Sequence, residues 1–99
     1  MVLGHTNCGA VKAASEILHN HEKAEADIEY LVKELALAVE IGDEEGDDHL
    51  DRAVRAQIFH VVERLKRLPI LNTAVERGEL KIIGTGYDLD SGAVELVIE

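Results

Sequence analysis

Two strand-like apolar segments lie near opposite ends of this chain, and almost everything between them repeats with a helical period. Met1–Leu3 reads as the end of a buried strand and Leu80–Gly84 as a second strand. Between them, Ala10–His19 places Val11, Ala14, Ile17 and Leu18 on one side. Asp27–Ile41 repeats Ile28, Leu31, Leu35 and Val39 behind a capping Asp27. His49–Leu68 is the longest helix candidate, with Leu50, Val54, Ile58, Val61, Val62 and Leu65 in register. Pro69 ends it or starts the next short helix, Ile70–Glu76, which closes at Arg77-Gly78. Strands separated by this much helix pair through a helical crossover, which runs them parallel. After a turn over Tyr87–Gly92, rich in Asp, Ser and Gly, Ala93–Ile98 alternates as a last strand. The expected fold is one α/β domain over residues 1–99: a parallel sheet with a helical crossover and a C-terminal antiparallel edge strand.

Composition limits the partners. The chain carries 20 acidic against 10 basic residues, a net charge of −10, which argues against nucleic acid and anionic membranes as ligands. No apolar run approaches the ~20 residues a transmembrane helix needs. The start lacks the basic and apolar regions of a signal peptide. One cysteine forms no internal disulfide, which fits a reducing, cytoplasmic location. Only three aromatic residues (Tyr30, Phe59, Tyr87) are present, so the core is expected to be Leu, Val, Ile and Ala.

The residues with the most chemistry are His5 and the sole cysteine, Cys8, within Gly4-His-Thr-Asn-Cys-Gly-Ala-Val11. Imidazole nitrogen and thiolate sulfur are preferred zinc donors. The pair falls in a strand-to-helix turn at the carboxyl end of a parallel strand, where α/β sheets place ligands. The following helix aims its positive dipole end at Cys8 and favours thiolate. Two donors fill only half of a four-coordinate site, so a metal pair and a buried structural cysteine beside a satisfied histidine both stand as readings at this point.

Other candidates are weaker. His19 and His21, with Glu22, could share a metal on a loop or form a solvated polar turn. Asp43–Asp48 is acidic enough to recruit a cation but lacks the ordered ligand pattern of a calcium loop. His49 and Asp51 sit in a first helical turn, which favours acids. His60 reads as a packing histidine, and Tyr87-Asp88 as organising the turn before the last strand. Gly84-Thr-Gly86 is too short for a phosphate loop. The apolar side of Asp27–Ile41 is expected to contact another subunit.

The octapeptide around His5 and Cys8 closely resembles the zinc motif of β-class carbonic anhydrases. The resemblance continues through Val54-Arg-Ala-Gln57, Leu65, Leu68-Pro-Ile70, Gly78-Glu-Leu80, Gly84, Tyr87-Asp88 and Gly92-Ala-Val94. It implies a homo-oligomeric Zn2+ protein that interconverts carbon dioxide and bicarbonate, with His5 and Cys8 as two of the metal ligands. The family supplies a further cysteine from an earlier Cys-x-Asp-x-Arg segment, which this sequence does not contain. The expectation is therefore a domain truncated before its third strand, holding half of the zinc site. The alternative is a catalytically inactive oligomeric structural or binding protein derived from the same fold.

Overall fold

The computed structural model describes residues 1–23, 25–43 and 48–99. Its elements run β1 (Val2–His5), α1 (Gly9–His19), α2 (Ala26–Asp43), α3 (His49–Arg67), α4 (Pro69–Glu76), β2 (Gly84–Tyr87) and β3 (Val94–Ile98). The strands form one sheet in the order β1-β2-β3. β1 and β2 are parallel, with Val2 opposite Gly84 and His5 opposite Tyr87. β3 is antiparallel to β2 and lies at the edge. The α/β class, the crossover and the antiparallel edge strand are therefore as expected.

Two strand positions differ from the sequence reading. β1 continues past Leu3 to His5, so the histidine belongs to the strand itself. β2 occupies Gly84–Tyr87 rather than Leu80–Gly84. The register explains the shift. β1 first meets β2 where Val2 lies opposite Gly84, with Val2 N–H donating to Ile83 O at 2.8 Å, so Leu80–Ile82 have no ladder partner among the described residues. Two glycines make Gly84-Thr-Gly-Tyr a poor strand by propensity. Gly84 is required because α3 crosses close to the sheet there. A Cβ at Gly84 would stand 2.6 Å from Ile58 Cγ2, and one at Gly4 would stand 2.5 Å from Ile58 Cδ1.

α3 contacts every other element, and among the described residues it is the helix that covers the sheet. Its inner side chains Ala53, Val54, Ile58 and Val62 are buried. α2 packs behind it on α3 and α1, burying Val32, Leu35, Ala38 and Val39. The burial of α2 thus falls on its own chain's helices, while Tyr30 and Leu37 on its other side are exposed. α2 also runs two residues past Ile41. Of the acidic stretch Asp43–Asp48, residues 44–47 lie outside the described residues. No helix in the described residues is long and apolar enough to cross a membrane.

The sheet face away from α3 carries Leu3, Val94 and Leu96, and they are 53%, 58% and 52% exposed. Strand alternation puts them there, because Gly4 and Gly84 point at Ile58. No element among the described residues packs on this face.

Both short helices end in the same device. At the end of α4, Gly78 adopts φ 73°, Glu79 N–H donates to Ala74 O and Gly78 N–H to Val75 O. At the end of α1 the corresponding bonds run from Glu22 to Ile17 and from His21 to Leu18, but the left-handed residue is His21, at φ 52°. A side chain in that conformation costs roughly 1 kcal/mol relative to glycine. The substitution His21→Gly is therefore expected to stabilise the protein by up to about 1 kcal/mol, read as a higher urea midpoint at unchanged slope. A lower midpoint would mean that the His21 side chain contributes a contact of its own.

Candidate functional site

The site grows from the end of β1. After His5 the chain makes a short arc, Thr6-Asn7-Cys8, and enters α1 at Gly9. Asn7 turns the arc by adopting φ 52°, a conformation asparagine tolerates better than most residues. Cys8 is the N-cap of α1. Its carbonyl accepts the N–H of Lys12 at 2.9 Å, and its side chain makes no capping bond. The thiol is free and half-buried.

His5 is exposed, and its Nδ1 lies 2.9 Å from Thr6 O. A carbonyl only accepts, so Nδ1 donates there, which leaves the Nε2 lone pair available to a metal or a proton. His5 and Cys8 line one cleft of about 310 Å³ beside the edge of β1 that does not pair with β2. The rest of its wall is largely apolar, including Val2, Val11, Leu35 and Val61. The arrangement thus brings together the two residues that spacing singled out. Among the described residues no group of three or more His, Cys, Asp or Glu side chains is placed to hold a metal ion. By donor type His5 and Cys8 fit zinc; by number they supply part of a coordination shell.

His5 also lines a second cleft, of about 220 Å³, on the α3 side of the strand ends. Its polar wall is Arg55, held between Asp51 at 3.1 Å and Glu95 at 2.5 Å. The hydrogen bond that Arg55 donates to Glu95, then the one it donates to Asp51, pushes the guanidinium further above its already high pKa. Arg55 therefore remains a fixed cation that ties α3 to β3. The bond from Arg55 to Glu95 spans 40 residues, and no local pattern signals it. A larger depression, about 700 Å³, lies elsewhere, around Lys66, Glu79 and Lys81, and is lined by neither His nor Cys.

The remaining sequence candidates stay apart. His19 Nδ1 donates to Ser15 O at 2.6 Å, while His21 is exposed in the left-handed cap. His60 is half-buried in α3 beside the edge-on ring of Phe59, and its Nε2 is buried without a partner. His49 and Asp51 open α3, where Asp51 pairs with Arg55. Asp88 does organise its turn: its Oδ1 accepts the N–H groups of Asp90 and Ser91, and its backbone bonds Gly92 and Ala93. Two threonines escaped the sequence reading. Thr85, 4% exposed, donates its hydroxyl to Val2 O at 3.1 Å. Thr6 accepts the N–H of Leu89 at 3.0 Å.

A parallel strand pair under a crossover helix, with a His-x-x-Cys arc at the strand's carboxyl end, defines an α/β protein with its reactive groups at the strand ends. The fold is that of β-carbonic anhydrases: the structure titled "The structure of the beta-carbonic anhydrase CcaA" superposes with a TM-score of 0.73 at 24% identity, over 98% of this chain and 53% of that one. A family model described as carbonic anhydrase matches residues 1–94, and the chain belongs to that family. A carbonic anhydrase of Mycolicibacterium smegmatis is 33% identical over 97% of this chain. Carbonic anhydrase 2 of Mycobacterium tuberculosis is 29% identical over 97%. A carbonic anhydrase of Synechococcus elongatus is 29% identical over 95%. The chain spans 47% of the length of each mycobacterial relative and 36% of the cyanobacterial one.

Proposed function

We propose that His5 and Cys8 are two ligands of a zinc site, and that the reaction served is the reversible hydration of carbon dioxide to bicarbonate. The observation that carries this reading is that both side chains line one apolar cleft at the carboxyl end of β1. Bound zinc would act as a Lewis acid that lets water become a nucleophile near neutral pH. The chain's own residues do the rest. His5 donates through Nδ1 to Thr6 O and so offers Nε2. Cys8, at the N-cap of α1 with its side chain uncommitted to a capping bond, offers its sulfur as the second donor. The apolar wall suits a small uncharged substrate. The donors that complete the shell come from beyond the described residues of one chain, and the family's Cys-x-Asp-x-Arg segment is the natural source.

A second reading is favoured by the apolar sheet face that no element among the described residues covers. Parallel sheets are ordinarily covered on both faces, so Leu3, Val94 and Leu96 support association of copies into a homo-oligomer. If each copy in a pair gave one His5 and one Cys8, the closed tetrahedron would be structural and inactive. Zinc per chain, measured together with mass in solution, separates the two. About one zinc per chain with carbon dioxide hydration is the expected result. One zinc per two chains with no turnover would support the structural dimer, and no zinc at all would overturn both.

A further inference from the structure

Thr6 stands between the two candidate ligands, and its backbone N–H and its hydroxyl engage the same distant segment, while its carbonyl accepts from His5 Nδ1. Its backbone N–H donates to Tyr87 O at 3.0 Å. Its hydroxyl oxygen accepts the N–H of Leu89, also at 3.0 Å, across 83 residues of sequence. The receiving turn is braced internally. Asp88 N–H donates to Ala93 O, Gly92 N–H to Asp88 O, Asp90 N–H to Asp88 Oδ1, and Ala93 N–H to Ser91 Oγ. Gly92, at φ 75°, supplies the left-handed residue that closes this turn.

Within the arc, His5 is held by its place in β1 opposite Tyr87 and by its Nδ1 bond to Thr6 O, and the hydroxyl of Thr6 is the side-chain link from the arc to the hairpin. Asn7 is exposed and left-handed. Cys8 is fixed on its far side by the first bond of α1. The geometry points to Thr6 as a positioning residue: through its hydroxyl, the turn between β2 and β3 sets the separation and orientation of His5 and Cys8. This deepens the zinc reading and rests on it. Groups that orient metal ligands without touching the metal typically change affinity 10- to 100-fold when removed. The segment best placed to tune the site is thus the C-terminal hairpin.

Thr6→Val keeps the side-chain shape and removes only the hydroxyl; Thr6→Ser restores it. In metal-free protein, Thr6→Val is expected to raise the hydrogen-exchange rate of the Leu89 amide at least ~10-fold and to speed alkylation of Cys8 by iodoacetamide. Exchange at the core amide of Val62 should stay unchanged, which shows that the fold is intact. Thr6→Ser should remain within about two-fold of wild type in every readout. In zinc competition against a chromophoric chelator, Thr6→Val should bind about 10-fold more weakly. Unchanged Leu89 exchange and Cys8 alkylation would overturn the anchor whatever zinc does. Equal zinc affinity in Thr6→Val and wild type would overturn the positioning role. A wild-type protein that takes up no zinc, while Leu89 and Cys8 still respond to Thr6→Val, would overturn the zinc reading and leave the anchor in place.

Discussion

Cys8→Ser is expected to lower zinc affinity roughly 100-fold or more if Cys8 is the ligand proposed above, because a serine hydroxyl at neutral pH does not replace a thiolate donor. This substitution is a clean test because it spares the fold. Cys8 is the N-cap of α1 and makes no side-chain capping bond. Serine is among the preferred N-cap residues, so the change should be neutral or stabilise by up to about 1 kcal/mol. The backbone bond from Lys12 N–H to the residue 8 carbonyl is unaffected. Zinc content by elemental analysis and the thermal midpoint should therefore move independently, the first falling and the second holding. Full zinc occupancy in Cys8→Ser would remove Cys8 from the ligand set.

Gly4→Ala is expected to destabilise the protein by about 1–3 kcal/mol, the usual cost of overpacking a filled core. The added methyl would stand 2.5 Å from Ile58 Cδ1, 2.7 Å from Ile58 Cγ1 and 3.3 Å from Val54 Cγ1. Ile58 is 3% exposed and also fills the space under Gly84, so it has little room to withdraw. The residue one step before His5 would be pushed off α3, and the candidate site would move with it. The cause can be isolated with Ile58→Val, which deletes the nearest carbon. In that background Gly4→Ala should cost at least about 0.5 kcal/mol less, a coupling of the size expected for residues in contact. Chemical denaturation of the four proteins in the cycle measures it. Purely additive effects would show that the approach of β1 to α3 is not what requires glycine.

Much of the architecture was legible because helical periodicity is local. Ile58 and Val62 stand in the apolar register of one long helix, and Pro69 marks its end, within residues that are neighbours in sequence. The parallel pairing followed from the length of helix between two strand patterns. The place of β2 was not legible. Leu80-Lys-Ile-Ile has the better strand composition, yet the ladder forms on Gly84-Thr-Gly-Tyr, because pairing is decided by which residues β1 faces and by how closely α3 crosses.

The candidate site divides in the same way. The donor types, their spacing and their position before a helix were written in Gly4-His-Thr-Asn-Cys-Gly9, since a three-residue arc is too short for its residues to separate. What surrounds that arc depended on contacts between distant residues. The hydroxyl of Thr6 meets Leu89 across 83 residues, that of Thr85 meets Val2 across 83, and Arg55 meets Glu95 across 40. Sequence by itself determined the chemistry on offer, because residue type and short-range spacing carry it. Only the tertiary structure decided which strand edge, cleft and hairpin that chemistry faces, because those are fixed when α3 packs on the sheet and brings the two ends of the chain side by side.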